Sequence, residues 1–183
     1  MDRIENAKML LQRVGKINLG FYPTPLQRLD RISNEYEINL YAKREDFSGM
    51  TLFGGNKIRK LEYLLNDAKN KGCDTVFTYG ATQSNHAMET ATAVRKCGMT
   101  PVLYLAAHVN PDAADIRANL LLDTILGAEI HILPANGRST KDTIQASTAD
   151  IAEHIARLQQ EGHKVYDIPV GGSTPHGVCG FAD

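Results

Sequence analysis

The lysine that follows two glycines is the residue best suited to covalent chemistry. Gly54-Gly55-Asn56 precedes Lys57, and Lys60 comes three residues later. Residues three apart share a helix face, so Lys57 would lie beside a second cation and at the positive end of a helix dipole. Both effects favour loss of the ammonium proton, which leaves an amine suited to Schiff-base chemistry. On local pattern alone, a glycine turn before a helix with solvated lysines is the commoner structure.

A second stretch of small and polar residues, GATQSNH, covers residues 80–86. It joins a predicted strand to a predicted helix, which is the corner of a parallel sheet that faces ligands. Ser84 and Asn85 would place a hydroxyl and an amide beside free helix N–H groups, which suits a carboxylate or phenolate oxygen. An ordinary helix cap at either residue is the alternative, and the two are compatible.

His86 and the other histidines carry weaker signals. A single histidine such as His86 is more often a satisfied surface or core group than a catalyst. No other histidine has the sequence spacing that a metal site needs, so we expect no metal site.

A third stretch, Gly171-Gly172-Ser173, follows the last predicted strand. Its backbone N–H groups could hold a phosphate, as in an anion-binding nest. It is not a P-loop, and it lacks the full glycine pattern of dinucleotide-binding proteins. A simple strand-to-helix turn is the favoured interpretation.

Alternating helices and strands must position these stretches. The apolar spacing and the glycine stops predict helices over residues 3–14, 26–36, 57–71, 85–97, 112–126 and 141–160. Apolar runs predict strands over residues 38–43, 75–79, 101–106, 129–133 and 164–168, with a turn at 22–25 and a glycine-containing loop at 44–56. Repeated alternation with short connections predicts an α/β fold with a parallel sheet and helices on both faces. Ligands bind such sheets beyond the carboxyl ends of the strands.

Composition and charge exclude several classes of protein. The 183 residues are 43% hydrophobic and 22% charged, which is ordinary globular usage. A net charge of −1 argues against nucleic-acid or anionic-membrane binding. The apolar runs are too short to span a bilayer, and the N-terminus lacks a signal-peptide core. Cys73, Cys97 and Cys179 match no metal or disulfide pattern, so we expect a cytoplasmic protein.

Five motifs occur in an order that is more specific than any one of them. They are PTPL (23–26), KRED (43–46), GGNKIRKLEY (54–63), QSNH (83–86) and PVGGS (169–173). With these motifs the sequence resembles, over nearly its whole length, the D-cysteine desulfhydrase and 1-aminocyclopropane-1-carboxylate deaminase family. These enzymes depend on pyridoxal 5'-phosphate and have the tryptophan-synthase-β-like fold, called fold type II.

The resemblance implies roles for four residues around the cofactor. Lys57 matches the lysine to which pyridoxal phosphate is attached, and Asn56 precedes it in the same motif. Asn85 matches the asparagine beside the phenolic oxygen of the cofactor. Lys60 falls where the family has a lysine near the cofactor phosphate.

The resemblance also implies roles toward the substrate. Ser84 matches the serine that contacts the substrate carboxylate and that is proposed to take part in ring opening in the deaminases. Asn85 and His86 complete the substrate-binding motif, and His86 follows the desulfhydrase-like spelling.

The implied activity is that of a lyase or deaminase of small amino acids. The cofactor serves as an electron sink for a carbanion, and Lys57 moves protons. D-cysteine, which would give pyruvate, sulfide and ammonia, is the main expectation. The alternatives are 1-aminocyclopropane-1-carboxylate, which would give 2-oxobutanoate and ammonia, and cysteate. Outside the enzymes, the alternative is an inactive fragment or a noncatalytic α/β binding module. Nucleotide binding at residues 171–173 is the weakest of the hypotheses.

Two departures from the family pattern stand out. The family commonly has an arginine shortly after QSNH, whereas this chain reads Ala87-Met88-Glu89. Loss of that cation would alter the electrostatic environment of the substrate, or would simply mark a divergent branch.

The second departure is length, since family members are considerably longer. The resemblance implies that this chain is the N-terminal part of such a protein. The phosphate-binding loop, the partner of the pyridine nitrogen and the tyrosines that help to separate the two activities would then lie beyond it. Residues 56–164 would form most of a smaller domain, and residues 1–55 and 165–183 would be incomplete pieces of a larger one. The full-length form is expected to be a homodimer.

Overall fold

A four-stranded parallel sheet lies at the centre of the structure, a computed structural model that describes residues 2–49, 54–114 and 116–182. In chain order the strands are β1 (Leu26–Arg28), β2 (Tyr41–Lys43), β3 (Thr75–Ala81), β4 (Thr100–Ala107), β5 (Glu129–Pro134) and β6 (Val165–Ile168). The parallel sheet has the order β5-β4-β3-β6, and β1 and β2 form a separate antiparallel pair. In the register of the sheet, Thr75 of β3 lies opposite Thr100 of β4 and Val165 of β6.

Eight helices connect or flank these strands within the described residues. They are α1 (Arg3–Val14), α2 (Asp30–Glu35), α3 (Lys57–Asn70), α4 (Asn85–Lys96), α5 (Ala118–Ile125), α6 (Thr140–Ala146), α7 (Thr148–Gln160) and α8 (Pro175–Cys179). Short 3₁₀ turns cover Glu45–Ser48 and Val170–Gly172. Among the described residues, no helix has the length and apolar character needed to cross a bilayer.

Helices cover both faces of the parallel sheet, as the alternating pattern predicts. Successive strand residues point to opposite faces, so Val76 of β3 packs with α3 and α4, while Phe77 packs with α7. The α5 helix covers the first face next to β4 and β5, and α6 shares the second face with α7. The predicted fold class is confirmed.

The predicted helix over residues 26–36 is wrong in its first third. Residues Leu26–Arg28 form β1, and the helix α2 begins only at Asp30. Backbone pairing with β2 explains the difference, since the Leu29 N–H donates to Leu40 O and the Arg44 N–H donates to Pro25 O. Such pairing between distant segments leaves no mark on the local apolar spacing.

The predicted helix over residues 112–126 begins later than expected. The Asp112 carboxylate accepts the Ala114 N–H in a turn, and α5 starts at Ala118. Asp115 lies outside the described residues, as do residues 50–53 of the loop predicted at 44–56.

The long helix predicted over residues 141–160 is two helices. Ser147 has φ −100° and ψ 10° and separates α6 from α7. The Thr148 hydroxyl donates to Gln145 O at 2.8 Å. Hydroxyl groups of serine and threonine compete in this way with the regular helix ladder. Ile144 and Ile151 still reach the same apolar cluster, which is why the apolar stripe alone shows one helix.

The position of β6 bears on the predicted division into domains. Residues 165–168 pair with β3 and so belong to the same sheet as β4 and β5. The division into 1–55, 56–164 and 165–183 stays a prediction.

Candidate functional site

The candidate residues lie where α3, α4 and the turn after β6 meet the carboxyl end of β3. Gly172 shows how closely these segments approach. A Cβ atom on it would lie 3.1 Å from Leu64 Cδ1 of α3 and 3.6 Å from His86 Cε1 of α4. Its φ of +61° also favours glycine. The fold therefore brings the three predicted stretches together.

Lys57 is the first residue of α3 and is half-buried. Its ammonium donates to Asn56 Oδ1 at 3.1 Å. Asn56 in turn lines a cavity of about 390 Å³, together with Lys43, Asn85 and Glu89. The amine is thus held by one neutral acceptor, which belongs to a residue that lines this cavity. That arrangement leaves it able to react with a carbonyl group.

Lys60 lies one turn further along α3. Its ammonium donates to Gly171 O at 3.0 Å, which fastens α3 to the turn after β6. Burial, and to a lesser extent the charge of Lys57, lowers the pKa of Lys60. In the same turn the Gly172 N–H already donates to Pro169 O at 2.8 Å. The turn therefore offers fewer free N–H groups to a phosphate than the glycine pattern suggests.

Ser84 and Asn85 form the N-terminus of α4. Ser84 caps the helix, since its Oγ accepts the Ala87 N–H at 3.2 Å. Asn85 is exposed, and its Oδ1 accepts a hydrogen bond from Asn119 Nδ2 at 2.7 Å. With its oxygen engaged in this way, the Asn85 amide presents its NH₂ group as a donor.

Asn119 is a site residue that sequence reasoning missed. It belongs to α5, and its Nδ2 also donates to Gln83 O at 3.0 Å while its backbone N–H donates to Gln83 Oε1 at 2.9 Å. These bonds hold the loop before α4 against α5 and orient the Asn85 amide. No local signal marks Asn119, because its partners belong to a distant loop.

His86 lies in the core beneath the N-terminus of α4 and is 6% exposed. Its Nε2 lies 3.0 Å from the Thr78 hydroxyl, which donates to Ile168 O at 3.0 Å. Burial, then the charges of Lys57 and Lys60, lowers the pKa of His86 to about 4. The neutral imidazole therefore links α4 to β3 and β6, and its expected contact with substrate stays a prediction.

Glu89 belongs to the stretch Ala87-Met88-Glu89, in which the sequence departs from the family pattern. Its side chain is buried, and its Oε2 accepts the Lys57 N–H at 3.0 Å. A Cβ atom on Gly55 would lie 2.5 Å from Glu89 Oε1, so a larger residue at that position would displace the Glu89 carboxyl group. Burial raises the pKa of Glu89 to about 7, against the opposing effect of Lys57. A carboxyl group from α4 thus caps the N-terminus of α3 beside the candidate lysine.

The motifs PTPL (23–26) and KRED (43–46) hold α3 in place and supply no reacting group. Glu45 accepts two hydrogen bonds from the Arg59 guanidinium, at 2.5 Å and 2.9 Å, and one from the Thr24 hydroxyl at 2.7 Å. The Arg59 guanidinium, then Thr24, holds the pKa of Glu45 below its usual range, although burial opposes this. Lys43 donates to Thr24 O. This network fixes the start of α3 against the chain that precedes it.

Comparison with known proteins identifies relatives of this chain. The family model of the pyridoxal-phosphate dependent enzymes matches residues 17–183. A Pyrococcus abyssi protein with the provisional name 1-aminocyclopropane-1-carboxylate deaminase is 43% identical over 173 residues, which is 94% of this chain and 48% of the relative. The D-cysteine desulfhydrase of Klebsiella pneumoniae is 34% identical over 176 residues, 94% of this chain and 51% of that protein.

A solved structure extends the likeness to the fold. The crystal structure of an ACC deaminase homologue superposes with a TM-score of 0.81 at 38% identity, covering 99% of this chain and 51% of that one. The chain thus spans about half the length of the curated relatives that it matches. With a family model matched over residues 17–183, this chain belongs to the family of pyridoxal-phosphate dependent enzymes.

Proposed function

We propose that the protein containing this chain is a pyridoxal-phosphate-dependent lyase or deaminase of small amino acids, with D-cysteine as the main substrate. The observation that carries the proposal is the hydrogen bond from the Lys57 amine to Asn56 Oδ1, since Asn56 and Asn85 line the same cavity. A carbonyl-reactive amine beside an amide donor is the donor set that a pyridoxal ring needs from this side.

The residues of this chain fit the cofactor in three respects. Lys57 would hold it covalently through Nζ, and the Asn85 NH₂ group would donate to its phenolic oxygen. The Lys60 ammonium, fixed at Gly171 O, supplies positive charge on the same face of α3 as Lys57. When bound, pyridoxal phosphate supplies an electron sink for negative charge at the substrate α carbon.

The remaining steps fall to side chains of this chain. For D-cysteine, the Lys57 amine would accept the proton from the α carbon as a positioned general base, and its ammonium form would give a proton to the departing sulfide. The Ser84 hydroxyl, whose oxygen accepts the Ala87 N–H, keeps its own hydrogen to donate to a substrate carboxylate. Glu89 would hold the backbone of Lys57 in place.

Two substrates compete within this proposal. D-cysteine and water would give pyruvate, hydrogen sulfide and ammonia, whereas 1-aminocyclopropane-1-carboxylate and water would give 2-oxobutanoate and ammonia. Relatives named for each activity match the chain over a similar length, which keeps both in view. Cysteate is a third candidate.

Cofactor labelling at Lys57 tests the proposal. The full-length protein would be mixed with pyridoxal phosphate and reduced with borohydride, and the modified peptide mapped by mass spectrometry. We expect stoichiometric labelling confined to Lys57, none in Lys57→Ala, and full labelling in the control Lys71→Ala, which lies at the C-terminal cap of the same helix. Absent labelling, or labelling that persists in Lys57→Ala, would overturn the assignment.

Assays of the same preparation with each substrate distinguish the two activities. Sulfide release from D-cysteine supports the main proposal, and 2-oxobutanoate from the cyclopropane acid supports the alternative. No product from either, or from cysteate, in a protein labelled at Lys57 would contradict the proposed substrate class while leaving the cofactor site intact.

We also propose that the full-length protein is a cytoplasmic homodimer. All three cysteines, Cys73, Cys97 and Cys179, are unpaired in the structure, which suits a reducing compartment. Light scattering of the full-length protein would give twice the mass of one chain, and a monomer would contradict the homodimer.

A further inference from the structure

Three metal-ligating side chains meet on the face of the sheet opposite the candidate cofactor site. Glu129 and His131 belong to the edge strand β5, and His154 belongs to α7. His131 Nε2 lies 2.7 Å from Glu129 Oε1, and His154 Nε2 lies 3.4 Å from the same oxygen. The three ligand atoms all lie within 4.8 Å of one another.

His154 is buried and is oriented for ligation. Its side chain is 6% exposed, and its Nε2 makes no hydrogen bond within the described part of the chain. The other ring nitrogen, Nδ1, lies 2.8 Å from the Tyr104 hydroxyl. In metal sites the second ring nitrogen of a histidine ligand is characteristically hydrogen-bonded, which sets the orientation of the ring. The Tyr104 hydroxyl would act in this way.

Packing also fixes the ring of His131. It stacks on Tyr104 with 4.3 Å between ring centroids and an interplanar angle of 7°. The rings of His131 and His154 meet edge to face at 5.1 Å. Tyr104 therefore orients both imidazoles, one through its ring and the other through its hydroxyl. Such pre-organised rings lose little conformational freedom when a metal binds.

An adjacent cavity leaves room for a further ligand. It has a volume of about 480 Å³ and is lined by His131, His154, Asp150, Glu153 and Arg157, among others. The carboxylates of Asp150 and Glu153 outnumber the guanidinium of Arg157, and Glu129 lies beside them. The net negative charge around the cavity therefore favours a cation.

We propose that Glu129, His131 and His154 form a zinc site. Two imidazoles and one carboxylate are a set of three protein ligands that suits Zn²⁺ and leaves the fourth position to water. Tetrahedral coordination at bond lengths near 2.1 Å separates ligand atoms by about 3.4 Å. The distance between His154 Nε2 and Glu129 Oε1 already has this value. The distance of 2.7 Å between His131 Nε2 and Glu129 Oε1 would have to lengthen slightly. The bound ion would fasten the edge strand to α7.

Zinc titration of the full-length, tag-free protein with pyridoxal phosphate bound tests the proposal. After chelator treatment, calorimetry should show one saturable Zn²⁺ site per chain, and Co²⁺ should give the visible absorption of tetrahedral coordination. Mg²⁺, which prefers oxygen ligands, should not compete. A lack of saturable Zn²⁺ binding, or complete competition by Mg²⁺, would overturn the proposal.

Variants locate the site. His131→Ala and Glu129→Gln should each weaken Zn²⁺ binding by about tenfold or more, and Tyr104→Phe, which keeps the ring but removes the hydroxyl, by roughly tenfold. His108→Ala removes an exposed histidine whose Nε2 lies 3.0 Å from the Thr140 hydroxyl, away from the three proposed ligands, and it should leave the affinity for Zn²⁺ unchanged. Because the Glu129 side chain is half-exposed, we expect Glu129→Gln to keep the fold. If Glu129→Gln and His131→Ala both bound Zn²⁺ as tightly as the natural sequence, the assignment would be refuted.

Discussion

At the scale of single residues, the Glu89 side chain makes two contacts with the start of α3. It caps the N-terminus of α3 through the Lys57 N–H, and it fills the space left by Gly55. At about pH 6 the carboxyl group is mostly protonated, because burial raises its pKa to about 7. An amide in its place would then supply the same acceptor and nearly the same shape.

We therefore expect Glu89→Ala to lower the free energy of unfolding by about 1–2 kcal/mol at about pH 6, because it leaves a buried N–H without an acceptor. Glu89→Gln should cost much less. Urea unfolding of the full-length variants measures both. Equal losses in the two variants would show that the hydrogen bond to Lys57 contributes nothing.

Asp123 of α5 is a buried carboxyl group of another kind. It is 1% exposed, and neither carboxylate oxygen has a hydrogen-bond partner in the described part of the chain. Burial alone raises its pKa to about 7. A group with a raised pKa in the folded state favours folding fully below its unfolded pKa and loses that contribution as the pH rises through about 7.

This linkage predicts a pH-dependent gain in Asp123→Asn, which cannot ionise. Relative to the natural sequence, the variant should gain on the order of 2 kcal/mol between about pH 5.5 and about pH 8. Urea unfolding of both proteins at the two pH values gives the difference between their free energies of unfolding. Groups that titrate alike in both proteins do not contribute to this difference. If this difference did not change with pH, the raised pKa of the Asp123 carboxyl group would be disproved.

At the scale of elements, α3 is anchored at its start by the pair Glu45–Arg59. The two side chains are 24% and 17% exposed, and the guanidinium also lies over the Tyr22 ring at 4.4 Å. The pKa of Glu45 is lowered, chiefly by Arg59. The pair therefore stabilises the fold above the ordinary pKa of glutamate, and that contribution is lost as the pH falls through the lowered value.

We expect Arg59→Ala to destabilise the protein by about 1–2 kcal/mol near pH 7. The loss should shrink as the pH falls below the usual range of glutamate. The control Lys71→Ala breaks an exposed pair with Asp67 at the other end of α3, and it should cost less than about 0.5 kcal/mol. Chemical unfolding over a pH series provides the comparison, and equal effects of the two variants would contradict a special role for Arg59.

At the scale of the whole molecule, the sheet separates two sites. Lys57, Lys60 and His86 lie on the face covered by α3 and α4, whereas His131 and His154 lie on the face covered by α7. Effects at distant sites without shared partners are additive. His131→Ala should therefore leave pyridoxal phosphate labelling at Lys57 unchanged, as measured by borohydride reduction and peptide mapping. A large loss of labelling would show that the sheet couples the two faces.

Local sequence was sufficient for much of this molecule. Periodicity and glycine stops place α1, α3 and α4 within about one residue of their observed ends, because backbone geometry and capping act over only a few residues. The Ser84 cap follows from the same local rules. Where contacts between distant segments decide, as at β1, local pattern is insufficient. The break between α6 and α7 has a local cause, the hydrogen bond from Thr148 to Gln145 O, which the apolar stripe does not reveal.

The sequence by itself determined the α/β fold class, the family and the place of Lys57 at a helix start. Tertiary structure alone decided that Asn119 orients Asn85, that Glu89 caps α3, and that Glu129, His131 and His154 converge. Spacing along the chain favours no metal site, since His154 lies on another element from His131. The physical reason is the same in each case: these contacts join side chains of different elements, and only packing of helices against the sheet sets their distance.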